Sequence, residues 1–191
     1  MDENLITKAD RLQKVANEII KETGVATIFS RIGTVNFVGS YKLGLMSRPD
    51  IDMAIISTTP EKSKAVDITT ELIQSEKFQT VGLADWFLYQ GKNLKKGYYW
   101  ELVYVFNEVY WKFDIWYSTK EEDDSIGPTE RKQVLLEKNP SAKKTILRLK
   151  HEFYDGVKYK DKVNGNRIYR AVLEHGVTDA QGLKKFVSGL E

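Results

Sequence analysis

Two short runs of this chain carry side chains that could do chemistry on a phosphate. Thr34-Val35-Asn36-Phe37-Val38 reads as an apolar strand and is followed at once by Gly39-Ser40. A glycine lets backbone approach a ligand closely, and a serine offers a hydroxyl and an amide to an anionic oxygen. Downstream, Asp50-Ile51-Asp52 runs into Met53-Ala54-Ile55-Ile56, which reads as a second strand. Successive strand residues point to opposite faces, so both carboxylates share one face and Ile51 and Met53 take the other. Two carboxylates side by side repel each other and are hard to desolvate, so a fold keeps such a pair at an exposed edge or around a cation. Taken singly, Gly-Ser reads as a turn and the aspartate pair as a solvated strand end. In this order, with a connector of about ten residues between them, their combination is far less expected by chance than either alone.

A further carboxylate, Asp114, stands in the otherwise apolar run Tyr110-Trp111-Lys112-Phe113-Asp114-Ile115-Trp116-Tyr117. An unpaired buried carboxylate is costly, so Asp114 needs a partner. A lysine or arginine on a neighbouring element would serve, as would a wet strand face, and so would a cation shared with Asp50 and Asp52.

The pattern of an apolar residue, Gly39-Ser40, a connector of about ten residues and Asp50-Ile51-Asp52 on the next strand resembles the signature of the polymerase-β-like nucleotidyltransferase superfamily. The resemblance implies an α+β fold, a mixed β-sheet with helices on one face. It implies that Asp114 is the third acid of one metal cluster with Asp50 and Asp52, holding two Mg²⁺ ions, or Mn²⁺, for catalysis. It implies that Gly39 and Ser40 hold the β- and γ-phosphates of a nucleoside triphosphate, and that the enzyme moves a nucleoside monophosphate to a hydroxyl. Small-molecule members often read Gly-Ser-x-Ala-Arg-Gly, whereas this chain has Gly39-Ser40-Tyr41-Lys42-Leu43-Gly44, so Lys42 or Arg48 is the candidate to replace the missing charge. Gly44-Leu45 and Arg48-Pro49 also echo the GrpB-like proteins, a related group.

The elements that must position these residues follow from periodicity. Leu5, Ile6, Ala9, Leu12, Val15, Ala16, Ile19 and Ile20 predict an amphipathic helix over about 4–22, stopped near Gly24. The state of Val25 to Ile32 is open, and Arg31 within it could lean toward the site. Thr58-Thr59-Pro60-Glu61 predicts a helix start, with the helix running to about Lys77 and burying Ala65, Ile68, Leu72 and Ile73. Phe78 to Tyr89 and Tyr98 to Tyr117 are aromatic and β-branched and read as strands, with Gly91-Lys92-Asn93 and Lys95-Lys96-Gly97 as loops and Asn107-Glu108 as a hairpin turn of open type. Trp86, Tyr89, Tyr98, Tyr99, Trp100, Trp111 and Trp116 are either sheet packing or a stacking wall for a base or sugar.

The acid run Glu121-Glu122-Asp123-Asp124 reads as a solvated linker and marks a boundary between a catalytic core, 1–124, and a helical C-terminal subdomain, 125–191. Helices are expected over Thr129 to Lys138, Ser141 to Asp155, Arg167 to His175 and Thr178 to Leu190. Lys143, Lys144, Arg148 and Lys150 make the second of these basic, as a solvated face or as a cleft wall meeting phosphates.

Composition narrows the function classes. The 191 residues suit one domain with its own core, or one domain plus a small helical appendage, and a net charge of +2 disfavours a role tracking long nucleic acid. Cysteine is absent, which excludes disulfides and thiolate metal sites, and the two histidines, His151 and His175, show no zinc pattern. No apolar run approaches a membrane span, so a cytoplasmic location is expected. Three functions follow from the resemblance: transfer of a nucleotide to a small hydroxylated acceptor such as an antibiotic, modification of a protein partner as in antitoxin-like members, or a noncatalytic nucleotide- or metal-binding module of GrpB-like type.

Overall fold

The computed structural model of the chain describes residues 4–89, 95–154, 156, 158–160 and 162–189. Gly91-Lys92-Asn93, Asp155 and Leu190, which the sequence reading placed in a loop and at two helix ends, lie outside the described residues.

Five strands form one mixed sheet: β1 (Thr34–Val38), β2 (Asp50–Ile56), β3 (Thr80–Asp85), β4 (Tyr98–Phe106) and β5 (Val109–Ser118). Their order is β1-β2-β5-β4-β3, with β2 and β5 parallel and the other neighbours antiparallel. Alternation divides the side chains between two faces. Ile51, Met53 and Ile55 of β2, Trp111, Phe113, Ile115 and Tyr117 of β5, and Trp100, Leu102 and Tyr104 of β4 are buried on one face. That face is covered by α1 (Leu5–Thr23), α2 (Val25–Ser30) and α4 (Lys62–Gln74), through Ala16, Ile19, Val25, Phe29, Ala65, Ile68 and Leu72. The indole N–H of Trp100 donates to Thr69 Oγ1 at 2.8 Å, tying α4 to the sheet. The opposite face carries Asp50, Asp52 and Asp114.

Beyond the sheet, α5 (Ile126–Lys138), α6 (Ala142–Phe153), α7 (Gly165–His175) and α8 (Ala180–Ser188) build a second apolar cluster from Leu136, Ile146, Leu149, Phe153, Ile168, Val172 and Leu183. Ala9 of α1 joins it, as do Leu43 and Leu45 after α3 (Gly39–Lys42), so α1 serves both clusters.

Several local expectations are corrected. The stretch at 25–32 is helical over Val25–Ser30, and Arg31 turns from the site to pair with Glu71. Helix α4 begins at Lys62 rather than at Pro60, because Ser57 Oγ accepts from Thr59 N at 3.2 Å and folds the threonines into a turn of their own. It ends at Gln74, and Glu76 follows with φ of +54°, outside helical space. Ile73 is 59% exposed, since Ala65, Ile68 and Leu72 complete the buried stripe and the next residue lies about 100° around the helix. Gly39-Ser40 is not a bare turn but the first half of α3. The run at 121–124 is not uniformly solvated: Asp123 accepts from Ser125 Oγ at 2.6 Å and Ile126 N at 2.9 Å, and so caps α5.

Candidate active site

The three carboxylates meet because of sheet register. Parallel pairing sets Asp52 directly beside Asp114, with Asp50 one step along the same face. One oxygen from each lies within 4.8 Å of the others, each side chain being half-buried. Crowding like charges in partial burial penalises ionisation. Accordingly Asp52 is pushed up to about 7, first by desolvation and then by the charges of Asp50 and Asp114.

Gly39 closes the near side of this cluster. Its φ is +62°, and a Cβ built there would lie 2.3 Å from Asp52 Oδ2, so only glycine admits both the backbone angle and the approach. Its amide donates to Thr129 Oγ1 at 3.3 Å, which draws α5 to the site. Beside it, Ser40 Oγ accepts from Lys150 Nζ at 2.7 Å. The same ammonium donates to Leu45 O at 2.9 Å and Tyr169 OH at 3.1 Å, and Lys150 is only 2% exposed. Desolvation lowers Lys150 to about 8 and raises Tyr169 well above the ordinary phenol range.

Arg48 donates to Asp50 Oδ2 from Nε at 2.8 Å and from Nη2 at 2.6 Å, and its guanidinium lies 5.3 Å from the ring centre of Tyr154 and 6.0 Å from that of Tyr159. Asp50 Oδ1 is buried and has no hydrogen-bond partner among the described residues. An orphaned carboxylate oxygen in a cluster of three acids, with no imidazole or thiolate among the donors, fits a hard divalent cation such as Mg²⁺ or Mn²⁺. On the other side, Asp114 Oδ1 accepts from Tyr99 OH and from Lys112 Nζ at 3.1 Å, and Lys112 also reaches Glu101 at 2.9 Å.

These groups line one cleft of about 750 Å³, which reaches from Gly39, Ser40 and Lys150 past the acids to Tyr99, Trp116 and Trp86. Of the residues singled out from sequence, Gly39, Ser40, Arg48, Asp50, Asp52 and Asp114 are brought together there. Lys42 is not: it is exposed at the end of α3 and faces a separate groove with Gln13 and Glu130. Among the seven aromatics, Trp86, Tyr99 and Trp116 line the cleft, whereas Trp100 and Trp111 are buried in the core on the opposite face.

Sequence reasoning passed over Lys150, Tyr169, Thr129 and Lys112 as individual site groups. For Lys150 a signal existed. It stands at i+4 from Ile146, i+3 from Leu147 and i−3 from Phe153, inside the apolar stripe of α6, whereas Lys143 and Lys144 are exposed. A lysine in a buried stripe requires oxygen partners, which marks it off from a solvated neighbour.

No family model matches the sequence, and none of the curated proteins matches it. Solved structures do. A Cid1 poly(U) polymerase with Mg and 3′-dATP bound aligns over 88% of this chain and 55% of its own, at 16% identity and a TM-score of 0.57. The polymerase core of TRAMP, an RNA surveillance complex, aligns over 94% of this chain and 62% of its own, at 13% identity and a TM-score of 0.55. GrpB from Enterococcus faecalis aligns over 90% of this chain and 94% of its own, at 17% identity and a TM-score of 0.53. The chain thus has the α+β fold of the polymerase-β-like nucleotidyltransferases, with a partial likeness to GrpB, and spans only 55–62% of the length of the two polymerase structures.

Proposed function

We propose that this chain is a metal-dependent nucleotidyltransferase that moves a nucleoside monophosphate from a nucleoside triphosphate to a hydroxyl of a small acceptor. The observation that carries the reading is the convergence of Asp50, Asp52 and Asp114 in one cleft, with Gly39 seated against Asp52 so closely that no side chain fits. A fold keeps three like charges together at the edge of such a cleft where a cation and a phosphate complete them.

Each residue then has a task. Asp50, Asp52 and Asp114 would hold the cations, two Mg²⁺ ions or Mn²⁺, which when bound would neutralise the charge developing on the attacking and leaving oxygens. Asp114, fixed through one oxygen by Tyr99 and Lys112, orients the acceptor hydroxyl and takes its proton with the other. Ser40 and Lys150 hold the β- and γ-phosphates, so the pyrophosphate departs into groups that already contact it. Arg48 steadies Asp50, which replaces the direct phosphate contact expected of it from sequence.

A noncatalytic nucleotide- or metal-binding module is the second reading, supported by the near end-to-end alignment with GrpB. Incubation of the full chain with each α-labelled nucleoside triphosphate, Mg²⁺ or Mn²⁺, and a panel of hydroxylated antibiotics and candidate partner proteins separates them. Label in a small product, abolished in Asp50→Asn, is the expected result. Label in a protein band would instead make it a protein-modifying enzyme, and bound but unchanged nucleotide would support the second reading.

A further inference from the structure

If nucleotidyl transfer is the chemistry, its direction fixes where the acceptor lies. The strand order lays the cleft out as a line: Gly39 and Ser40 after β1, Asp50 and Asp52 on β2, Asp114 on β5, Tyr99 on β4, and Trp86 just past β3. In phosphoryl transfer the attacking and leaving oxygens are roughly in line through phosphorus. With the leaving pyrophosphate on the β1 side, the attacking hydroxyl enters from the β4 and β3 side.

That half of the cleft has its own chemistry. Trp116 stands 5.2 Å from Tyr99 and 6.2 Å from Trp86, ring centre to ring centre, on the sheet face that bears the acids. The indole N–H of Trp86 is buried and finds no acceptor among the described residues. Among the described residues two lysines line it, and each is matched by carboxylates. Lys95 reaches Asp123 at 3.2 Å and Asp124 at 3.3 Å while lying 5.0 Å above the Trp116 ring. Lys112 is divided between Glu101 at 2.9 Å and Asp114 at 3.1 Å. By contrast, Lys150 on the phosphate side donates to three neutral oxygens. A nucleic-acid 3′ end is bound chiefly through its phosphates by uncompensated cations, and this wall offers it compensated ones.

We propose that the half-cleft formed by Trp86, Trp116 and Tyr99 is the acceptor subsite, and that it takes a phosphate-free, ring-bearing alcohol and rejects an RNA 3′ end. The ring lies on the aromatic faces and the indole N–H of Trp86 donates to one of its oxygens. Its hydroxyl loses a proton to Asp114 as the new bond from oxygen to the α-phosphorus forms and the bond from that phosphorus to the pyrophosphate oxygen breaks.

This proposal rests on the nucleotidyltransferase reading, and its test keeps the two apart. The full chain is loaded with Mn²⁺ and the α,β-methylene analogue of whichever triphosphate it binds. It is then titrated with methyl β-D-glucopyranoside and adenosine, followed by indole fluorescence, and with a fluorescent fifteen-nucleotide oligoadenylate, followed by polarisation. Saturable quenching by at least one ring alcohol is expected, weakened about tenfold or more in Trp86→Ala with triphosphate affinity unchanged. No oligoadenylate binding is expected in the native chain. The double variant Glu101→Gln, Asp124→Asn, which neutralises two accessible carboxylates and leaves each lysine one carboxylate partner in place of two, is expected to bind the oligoadenylate measurably, with a dissociation constant that weakens as salt is raised. Oligoadenylate binding by the native chain, absence of any ring-alcohol signal, or indifference to Trp86→Ala overturns the proposal alone. Failure to bind any triphosphate overturns the reading beneath it as well.

Discussion

Gly39 is the position at which one added carbon does most. A methyl group there meets Asp52 Oδ2 at 2.3 Å, and the φ of +62° costs an alanine about 1–2 kcal/mol before any clash. Gly39→Ala is therefore expected to lower the urea midpoint and, by displacing Asp52, to abolish cation binding in calorimetric titration. The neighbouring acids separate by task. Asp50→Asn is expected to remove cation-dependent triphosphate binding, with transfer falling about 10³-fold, since metal charge stabilisation is worth several kcal/mol. Asp114→Asn should lower kcat by about 10²–10⁴-fold with a smaller effect on triphosphate affinity, because it acts on the acceptor's proton. Sequence alternation was enough to place Asp50 and Asp52 on one face. It could not assign Lys42 and Lys150, because a lysine's role depends on what surrounds its ammonium group. The lysine adjoining the glycine-serine motif turned outward, and the one 110 residues from Ser40 bonds to it.

At the scale of elements, the site depends on the pairing of β2 with β5, which are separated in the chain by α4, β3 and β4. That pairing aligns Asp52 with Asp114, and a slip of one residue would turn Asp114 to the apolar face. The hairpin between β4 and β5 fixes where β5 begins. Its turn residues have φ of +48° at Asn107 and +63° at Glu108, the positive pair that a two-residue hairpin of the primed type requires. The turn was legible from Asn107 standing between two alternating runs, but its type was not, since glutamate is a poor occupant of the second position. Glu108→Gly should relieve that strain and raise stability by up to about 1 kcal/mol, read as a higher urea midpoint with unchanged slope. Helix starts were the least legible feature. Threonine hydroxyls before Pro60 suggested a cap, yet Ser57 claimed the Thr59 amide, and Asp123, taken for part of a solvated run, caps α5.

For the whole molecule, two apolar clusters share α1, and the cleft lies between the acid-bearing face of the sheet and helices α5, α6 and α7. Thr129 of α5, Lys150 of α6 and Tyr169 of α7 all reach back to Gly39 or Ser40, so the C-terminal helices are part of the site. Only the place of Lys150 in the apolar stripe of α6 hinted at this closure, because contacts such as Lys150 with Ser40 join elements far apart in the chain. Lys150 gives it a pH signature with two opposite signs. Its folded value of about 8 lies below the ordinary lysine value of 10.5, so between these the unfolded chain binds more protons and stability of the ligand-free protein rises with pH. Triphosphate affinity should fall over the same range, as the ammonium that meets the phosphates loses its proton. Denaturant midpoints and triphosphate titrations from pH 7 to 10 check both trends, and both should flatten in Lys150→Met.

The most direct measurement is the anomalous scattering of crystals grown with Mn²⁺ and a nonhydrolysable triphosphate. A peak at coordinating distance from carboxylates of Asp50, Asp52 and Asp114, with the terminal phosphates against Ser40 and Lys150, is the result predicted. An acid cluster without a peak, or nucleotide bound elsewhere, would contradict it.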